Sequence, residues 1–319
     1  MIADDLATPA SGSVVTVGSF DGMHRGHRAV IEEAVSRAAR AGRVSVVVTF
    51  EPHPAAVLAE GGGPPRLTTA EERLEVLAEC GVDRVLVLRF DRGLAALEPE
   101  RFVREILIDR CGMRELVIGP DHGFGRDRSG DRRTLPALGD RLGFGVTMVG
   151  PVPDAQGANI SSTRIREALG RGDLARAARW LGRPYRVSGR VVPGAGRGRG
   201  IGIPTLNLEG PPPEKALPPD GVYAVRVEWG GGTAGGMLNQ GPRPTVGDHR
   251  RSLEAHLFGF DGDLYGRTVR IEWVARLREI RRFESLEALR HQLGQDREAS
   301  LAALAGGTQT STARPAGAR

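Results

Sequence analysis

The sequence predicts an α/β domain built on a doubly wound parallel sheet, followed by a small antiparallel β-barrel that a C-terminal helix closes. Strand-like and helix-like patterns alternate four times in the first half. Short alternating runs broken by glycine and proline fill the second half and are typical of a small antiparallel β-barrel or sandwich. The change at Gly182-Arg183-Pro184 therefore predicts two domains, residues 1–182 and 183–305, and a polar, disordered tail at 306–319.

The composition is that of an ordinary soluble protein. Hydrophobic residues make up 40% and charged residues 26% of the 319 positions, and no apolar run approaches the roughly 20 residues of a membrane span. The acidic start, residues 1–5, lacks the apolar core of a secretory signal, and the two cysteines form no C-x-x-C pair. We therefore expect a cytoplasmic protein with reduced thiols and no membrane partner.

Nearly all of the positive charge is arginine. Lys215 is the one lysine, which excludes a Walker-type phosphate loop. A net charge of +5 would suit nucleic acid, but the arginines are spread through acidic helices and aromatic residues are only 5%. Anionic small molecules are therefore the expected partners, and their phosphates would be bound by arginine, histidine and backbone N–H groups.

The first strand, residues 14–17, passes through a glycine-punctuated turn into an amphipathic helix that Gly42 ends. His24 and His27 lie at the start of that helix, where unpaired N–H groups and the positive end of the dipole favour phosphate. Gly26 leaves room for a ligand near the backbone, and imidazoles can donate hydrogen bonds to phosphate oxygens. The stretch predicts nucleotide binding, with surface histidines or a metal site as the alternatives.

The same signals place the other elements of the first half. Strands are predicted at residues 43–50, 85–88 and 115–119, and helices at 70–80, 102–108, 160–166 and 174–181. Thr69 opens the first of these helices with a capping box, and Asp173 caps the last. A loop at 51–54, which contains His53, and a glycine-rich turn at 119–125 each follow a strand. Ligands bind at that edge of an open α/β sheet, although either loop could be purely structural.

In the second half, strands are predicted at residues 185–191, 221–227, 253–258 and 268–274, and a closing helix at 283–304. A glycine- and arginine-rich stretch at 194–200 runs into Ile203-Pro204-Thr205-Leu206-Asn207. Taken alone, this stretch could be a disordered RNA-binding tract or a flexible β-hairpin without a ligand.

The ordered motifs resemble those of the bacterial bifunctional riboflavin kinase/FAD synthetase family over roughly residues 14–304. The first half carries G-S-F-D-G-M-H-R-G-H, which contains the H-x-G-H of the nucleotidyltransferase superfamily, then T-F-E-P-H-P, G-P-D-H-G-F-G and I-S-S-T-R-I-R. The second half carries I-P-T-L-N, L-P-P-D-G-V-Y-A, N-Q-G-P-R-P-T and E-A-H-L. The resemblance implies a Rossmann-like nucleotidyltransferase domain and a riboflavin kinase barrel.

The resemblance further implies that riboflavin is phosphorylated to FMN and FMN is adenylylated to FAD, with ATP as co-substrate and Mg²⁺ as cofactor. His24 and His27 would be catalytic in the first domain, and Glu254 would be the general base in the barrel. ATP in the first domain would contact Gly18, Ser19, Phe20, Asp21, Gly26, Asp121, Ser161, Ser162, Thr163 and Arg166. ATP in the barrel would contact Arg197, Arg199, Gly202, Pro204, Thr205 and Asn207, of which Thr205 and Asn207 would hold Mg²⁺. The flavin would contact His53, Asp220, Tyr223 and Arg278.

Four residues depart from the family pattern. Ser19 stands in place of an asparagine, His122 in place of a phenylalanine, and Gly259 and Ile280 in place of acidic residues. These departures leave open a paralogue with one silent half or with a different flavin or nucleotide as substrate. The basic charge leaves open a flavin- or nucleic-acid-binding regulator without turnover, against which the intact H-x-G-H, S-S-T and P-T-x-N motifs argue.

Overall fold

The computed structural model describes residues 2–3, 8–194, 203–242 and 251–306. These residues divide into two compact units. The first unit comprises the chain up to Arg166 together with Trp180–Gly182, and the second comprises Glu167–Arg179 and the chain from Arg183 onward. The domain boundary expected after residue 182 stays a prediction.

A parallel sheet forms the centre of the first unit. Its strands are β1 (Ile2–Ala3), β2 (Ser13–Val17), β3 (Val44–Glu51), β4 (Arg84–Arg89), β5 (Met113–Ile118) and, after a small hairpin of β6 (Gly123–Phe124) and β7 (Gly130–Asp131), β8 (Gly145–Met148). Within the described residues, the strand order is β1-β4-β3-β2-β5-β8, and every pairing is parallel. The α/β class predicted from the alternating pattern is confirmed.

Helices connect these strands. They are α1 (Arg25–Arg40), α2 (Pro54–Leu58), α3 (Ala70–Glu79), α4 (Arg92–Ala95), α5 (Pro99–Arg101) and α6 (Leu135–Leu142). Two more helices, α7 (Ser162–Gly170) and α8 (Leu174–Leu181), follow β8 in the chain. Thr69 and Glu72 form both hydrogen bonds of the predicted capping box, and Gly42 and Gly81 follow α1 and α3 with left-handed backbones. The predicted helix at Phe102–Ile108 is a π-helix that continues directly from α5.

The sheet is buried on both faces, which explains its nearly continuous apolar strands. Val15 and Val17 of β2 pack on one face with Phe102 of the π-helix. Val14 points to the other face, where it meets Ala34 of α1. Because ligands in such sheets bind beyond the carboxyl ends of the strands, this core fixes the position of the loops that follow β2, β5 and β8.

The second unit is a closed barrel. Its strands are β9 (Arg186–Val192), β10 (Leu206–Leu208), β11 (Gly221–Trp229), β12 (Gly232–Pro242), β13 (Arg251–Leu257) and β14 (Thr268–Arg278), followed by helix α9 (Leu286–Gly306). In the described residues, the order around the barrel is β10-β13-β12-β11-β14-β9, with β9 paired back to β10. The predicted antiparallel barrel with a C-terminal helix is therefore confirmed.

Among the described strands of four or more residues, β8 and β12 were absent from the sequence prediction. In β12 the glycines that weaken a strand pattern are needed for close approach. A Cβ at Gly235 would lie 2.6 Å from Cδ1 of Leu304, and one at Gly236 would lie 2.4 Å from the carbonyl oxygen of His256. Of the tail predicted at 306–319, Gly306 is the last residue of α9 and residues 307–319 lie outside the described residues, as do the predicted ligands Arg197, Arg199 and Gly202. Of the helices that are described, none combines the length and apolarity needed to cross a membrane.

Candidate active sites

A cavity of about 420 Å³ opens beyond the carboxyl ends of β2, β5 and β8, and we call it the first cavity. The start of α1 and the start of α7 both contribute to its wall, so it lies at two helix N-termini. Ten of the residues predicted for the catalytic and ATP sites line it: Gly18, Ser19, Phe20, His24, Gly26, His27, Asp121, Ser161, Ser162 and Thr163. The structure thus brings the two motifs that the sequence separates by about 140 residues to one cavity.

The two histidines of H-x-G-H stack on each other. His24 is the N-cap of α1, and its Nδ1 accepts a hydrogen bond from the backbone N–H of His27 at 3.3 Å. The ring centroids of His24 and His27 are 3.7 Å apart, at 17° between the planes. Since Nδ1 of His24 accepts, its Nε2 carries the proton when the ring is neutral.

Gly26 and Phe20 hold this stack in place. A Cβ at Gly26 would lie 3.2 Å from both Cε1 and Nδ1 of His24, so a larger residue there would press on the ring where it folds back over the first turn. The ring of Phe20 meets His27 edge-on at 5.4 Å, and Phe20 has a left-handed backbone with φ of 50°. Gly26 therefore leaves space for the His24 ring, and not only for a ligand.

Asp21 and Arg166, both predicted to contact ATP, do not line the first cavity. The carboxylate of Asp21 is buried and accepts hydrogen bonds from the backbone N–H groups of Leu67 and Thr68. Arg166 donates to the same carboxylate at 2.7 Å and to the Pro65 carbonyl at 2.6 Å. The guanidinium therefore positions the loop of the first motif instead of facing the cavity in this structure.

Arg73 is a buried support that the sequence did not reveal. Its side chain is 2% exposed and donates to the carbonyl oxygens of Ser19 and Phe50 and to the carboxylate of Glu51. Burial lowers the pKa of Arg73 from its ordinary value, and Glu51 partly offsets that effect. The carbonyl of Ser19, a residue that departs from the family pattern, is thus fixed by a charge-assisted hydrogen bond.

A larger cavity of about 700 Å³, which we call the second cavity, adjoins the first. It is lined mainly by apolar groups, including Phe50, Leu58 and Phe90, as expected for a flat aromatic ligand. His53, predicted to contact the flavin, also lines it and caps α2 by accepting from the N–H of Ala55 at 3.1 Å. Burial lowers the pKa of His53, so the ring is neutral near pH 7.

The two cavities share one wall, whose members are Val17, Gly18, Ser19, His122, Gly123 and Arg128. His122 meets Phe124 edge-on at 5.4 Å, and burial, with a smaller contribution from Arg128, lowers the pKa of His122 to about 4. Sequence reasoning did not find Arg128, because it lies in the connection between β6 and β7, beyond the motif that ends at Gly125. The sequence feature that could have identified Arg128 is its position three residues after the glycine-rich turn.

In the barrel, Glu254 lies between two asparagines. On β13 it is directly opposite Asn207 of β10 on one side and Asn239 of β12 on the other. Residues in register on adjacent strands point to the same face, so a carboxylate and two amides converge there. Two predicted residues, Glu254 and Asn207, are therefore brought together, and Asn239 joins them from the N-x-G motif.

A third cavity, of about 270 Å³, opens at the barrel rim, and we call it the barrel cavity. Pro204 and Thr205, predicted for the kinase ATP site, line it together with the aromatic rings of Phe260 and Tyr265. Nδ1 of His256, two residues beyond Glu254, lies 2.8 Å from the Pro204 carbonyl oxygen and ties this segment to β13. The loop from Phe260 to Tyr265 was absent from the sequence prediction because it carries no motif.

The remaining predicted flavin contacts in the barrel have structural partners. Arg278 forms an ion pair with the buried carboxylate of Asp296 on α9 at 2.7 Å. Tyr223 is fully buried and donates a short hydrogen bond to the Pro219 carbonyl. Asp220 pairs with Arg251 at 3.0 Å. Their roles toward a flavin stay predictions.

The two barrel departures lie on the surface. Gly259 has φ of 64° in the turn after β13, with nothing within 4 Å of a built Cβ. Most residues other than glycine would be strained at this φ. Ile280 is 45% exposed and reaches back to Gly241.

Comparison with known proteins decides the family. The model of the FAD synthetase family matches residues 7–164, and that of the riboflavin kinase family matches residues 181–304. The bifunctional riboflavin kinase/FMN adenylyltransferase of Escherichia coli K12 is 41% identical over 289 residues, which cover 90% of this chain and 91% of that one. The chain belongs to the bifunctional riboflavin kinase/FMN adenylyltransferase family. The family suggested by the motifs is thereby confirmed.

Further relatives agree with this assignment. The enzyme of the same name from Bacillus subtilis 168 is 36% identical over 293 residues, covering 91% of this chain and 92% of that one. A crystal structure from Streptococcus pneumoniae, named as a macrolide-efflux protein, superposes with a TM-score of 0.84 at 32% identity, covering 94% of this chain and 98% of the other. The whole two-unit fold is therefore shared with that protein.

Proposed function

We propose that this chain is a bifunctional enzyme that phosphorylates riboflavin to FMN in the barrel and adenylylates FMN to FAD in the α/β unit. The observation that carries the proposal is the first cavity, where H-x-G-H and S-S-T face each other at two helix N-termini. ATP is the co-substrate of both steps. Family membership and the coexistence of both matched regions in one chain support the pairing of the two activities.

In the α/β unit, an oxygen of the FMN phosphate attacks the α-phosphorus of ATP, the bond to the β-bridging oxygen breaks, and pyrophosphate leaves. The first cavity takes the triphosphate, and the more apolar second cavity takes the isoalloxazine ring. His24 and His27 donate hydrogen bonds to the charge that develops on the phosphoryl oxygens. Ser162 and Thr163 add donors at the start of α7, where the N–H groups favour the same charge.

In the barrel, the riboflavin 5′-hydroxyl attacks the γ-phosphorus of ATP and ADP leaves. Glu254 accepts the hydroxyl proton, which is the role that a carboxylate between two amides can perform. The barrel cavity takes the nucleotide, whose base can stack on Phe260 or Tyr265. His256 holds Pro204 and thereby the neighbouring Thr205 in place.

The donor set fits Mg²⁺. Thr205 offers a hydroxyl oxygen and Asn207 an amide oxygen, both hard donors from the start of β10. The described residues contain no cluster of three His, Cys, Asp or Glu side chains, so the remaining ligands would be substrate phosphates and water, as Mg²⁺ prefers. When bound, Mg²⁺ neutralises charge on the phosphates being transferred.

The experiment separates the two halves. Purified protein with ATP and Mg²⁺ receives either riboflavin or FMN, and the flavin products are separated by chromatography. His27→Ala should lose about 3 kcal/mol of transition-state stabilisation for FAD formation while FMN formation stays intact. Glu254→Gln should lose roughly 10²- to 10⁴-fold in FMN formation while FAD formation from supplied FMN stays intact.

Matched controls are available on the surface of the same chain. His291 of α9 and Glu228 of β11 are exposed, so His291→Ala and Glu228→Gln should leave both activities unchanged. FAD from FMN but no FMN from riboflavin in the wild type would mean that the barrel is silent. Turnover of neither substrate would refute the proposal.

A further inference from the structure

The shared wall between the first and second cavities contains one permanent charge. Of its six residues, only Arg128 carries one. Arg128 is also the one arginine or lysine among the described residues that line the first cavity. The predicted phosphate ligand Arg166 is held by Asp21 instead. A cation therefore lies at the point where the contents of the two cavities would meet.

The backbone conformation around Arg128 places this residue at the shared wall. Arg128 has φ of 57° and follows Asp127, which has φ of 55°, so two successive non-glycine residues adopt left-handed conformations. One guanidinium nitrogen, Nη2, donates to the Asp121 carbonyl at 2.8 Å. A Cβ at Gly123 would lie 3.1 Å from Cβ of Arg128, so the glycine gives the arginine its space.

Arg128 also differs from its neighbour in its partners. Arg126, in the same short connection, pairs with Glu98 at 2.5 Å. Among the described residues, no carboxylate lies within ion-pair distance of Arg128. Since a guanidinium has five N–H donors and the Asp121 carbonyl uses one, a bidentate face is left for an anion.

His122 completes the wall. Its Nε2 is inaccessible to solvent and has no hydrogen-bond partner among the described residues. A buried imidazole nitrogen without a partner costs stability. His122 is neutral at pH 7, so it adds a hydrogen-bonding group beside the arginine without adding a second charge.

We infer that Arg128 binds the phosphate at the junction of the two cavities, and that His122 lies beside it as a positioning residue. This inference rests on the proposed FMN adenylylation. Two anions must approach there, because the nucleophile is the FMN phosphate and the electrophile is the α-phosphoryl group of ATP. A guanidinium that binds both phosphates offsets their repulsion. Its interaction with the phosphate oxygens grows as charge builds in the transition state, and the arginine stays protonated throughout.

Arg128→Gln tests the inference. We expect kcat/KM for FAD formation from FMN to fall at least 100-fold, and FMN formation from riboflavin by the same preparation to stay within twofold of wild type. Arg128→Lys keeps the charge but loses the planar guanidinium that can bind an anion through two N–H groups. Its kcat should fall about tenfold. The control is Arg132→Gln, an exposed arginine four residues on that lines neither cavity.

The outcomes separate this inference from the proposed function. If the wild type forms no FAD from FMN, the proposed function fails and the inference fails with it. If the wild type forms FAD and Arg128→Gln stays within twofold of it, the inference alone is overturned. Should Arg128→Gln fail to fold, Arg128→Lys decides, because a lysine variant with the wild-type kcat would also overturn it.

Discussion

Replacing His122 by phenylalanine, the residue typical of the family at this position, should make the protein more resistant to acid. Burial lowers the pKa of His122 from 6.5 to about 4, so the folded state prefers the neutral ring. In the unfolded chain the same ring takes up its proton near pH 6.5. Above about pH 6.5 the ring is neutral in both states and does not affect the free energy of unfolding. As the pH falls from 6.5 toward 4, only the unfolded ring binds a proton, so the free energy of unfolding decreases.

The magnitude follows from linkage. The full difference between 6.5 and about 4 corresponds to about 3 kcal/mol, reached only below pH 4. At about pH 5 the unfolded ring is almost fully protonated and the folded ring almost fully neutral, which leaves a penalty of about 2 kcal/mol. Phenylalanine carries no such penalty, and other titrating groups cancel in the comparison with wild type.

Two measurements check the prediction. Urea unfolding at about pH 7.5 and about pH 5 should show that the wild type loses about 2 kcal/mol more than His122→Phe between the two conditions. An NMR titration of the seven histidines should show one signal, missing in the variant, that titrates near pH 4. If the missing signal titrates near 6.5, the ring is solvated and the reasoning about its burial is refuted.

Three further changes test supports of the first cavity. Gly26→Ala should preserve or slightly raise the free energy of unfolding, because alanine favours a helix. It should slow FAD formation at least tenfold, because the added methyl group displaces the His24 ring. An unchanged rate would mean that the ring tolerates the methyl group. Arg73→Met should lower the free energy of unfolding by about 3 kcal/mol, seen in urea unfolding, since buried partners lose their donor. Arg166→Gln should destabilise by a similar amount because Asp21 loses its cation, with the KM for ATP unchanged in the folded protein. A tenfold rise in that KM without loss of stability would return Arg166 to the ATP phosphates.

Local signals were enough to predict the elements that carry the first cavity. The Val14 strand, the glycine turn and the helix that begins after His24 follow from periodicity and from turn residues. The capping box at Thr69 needed only four residues of sequence. Each signal lies within a few residues, so each was readable without the fold.

What the sequence could not predict depends on distant partners. The glycines of β12 look like a loop until Leu304 is seen to pack against Gly235. Arg128 looks like any of the many arginines until β6 and β7 pair and bring it over Gly123. In both cases the deciding contact joins parts of the chain that no local pattern relates.

The partners of Asp21 show how such contacts turn two motifs into one site. Its backbone carbonyl accepts a hydrogen bond from the Ser162 hydroxyl at 2.9 Å, and its carboxylate accepts one from Arg166 at 2.7 Å. The same carboxylate receives backbone donors from Leu67 and Thr68, and it is 3% exposed. A buried carboxylate with that many donors holds the start of α7 against the loop of the H-x-G-H motif. The family resemblance assigns both Asp21 and Arg166 to ATP, and that role stays a prediction. In this structure the two side chains also form the brace that holds Ser162 at the first cavity.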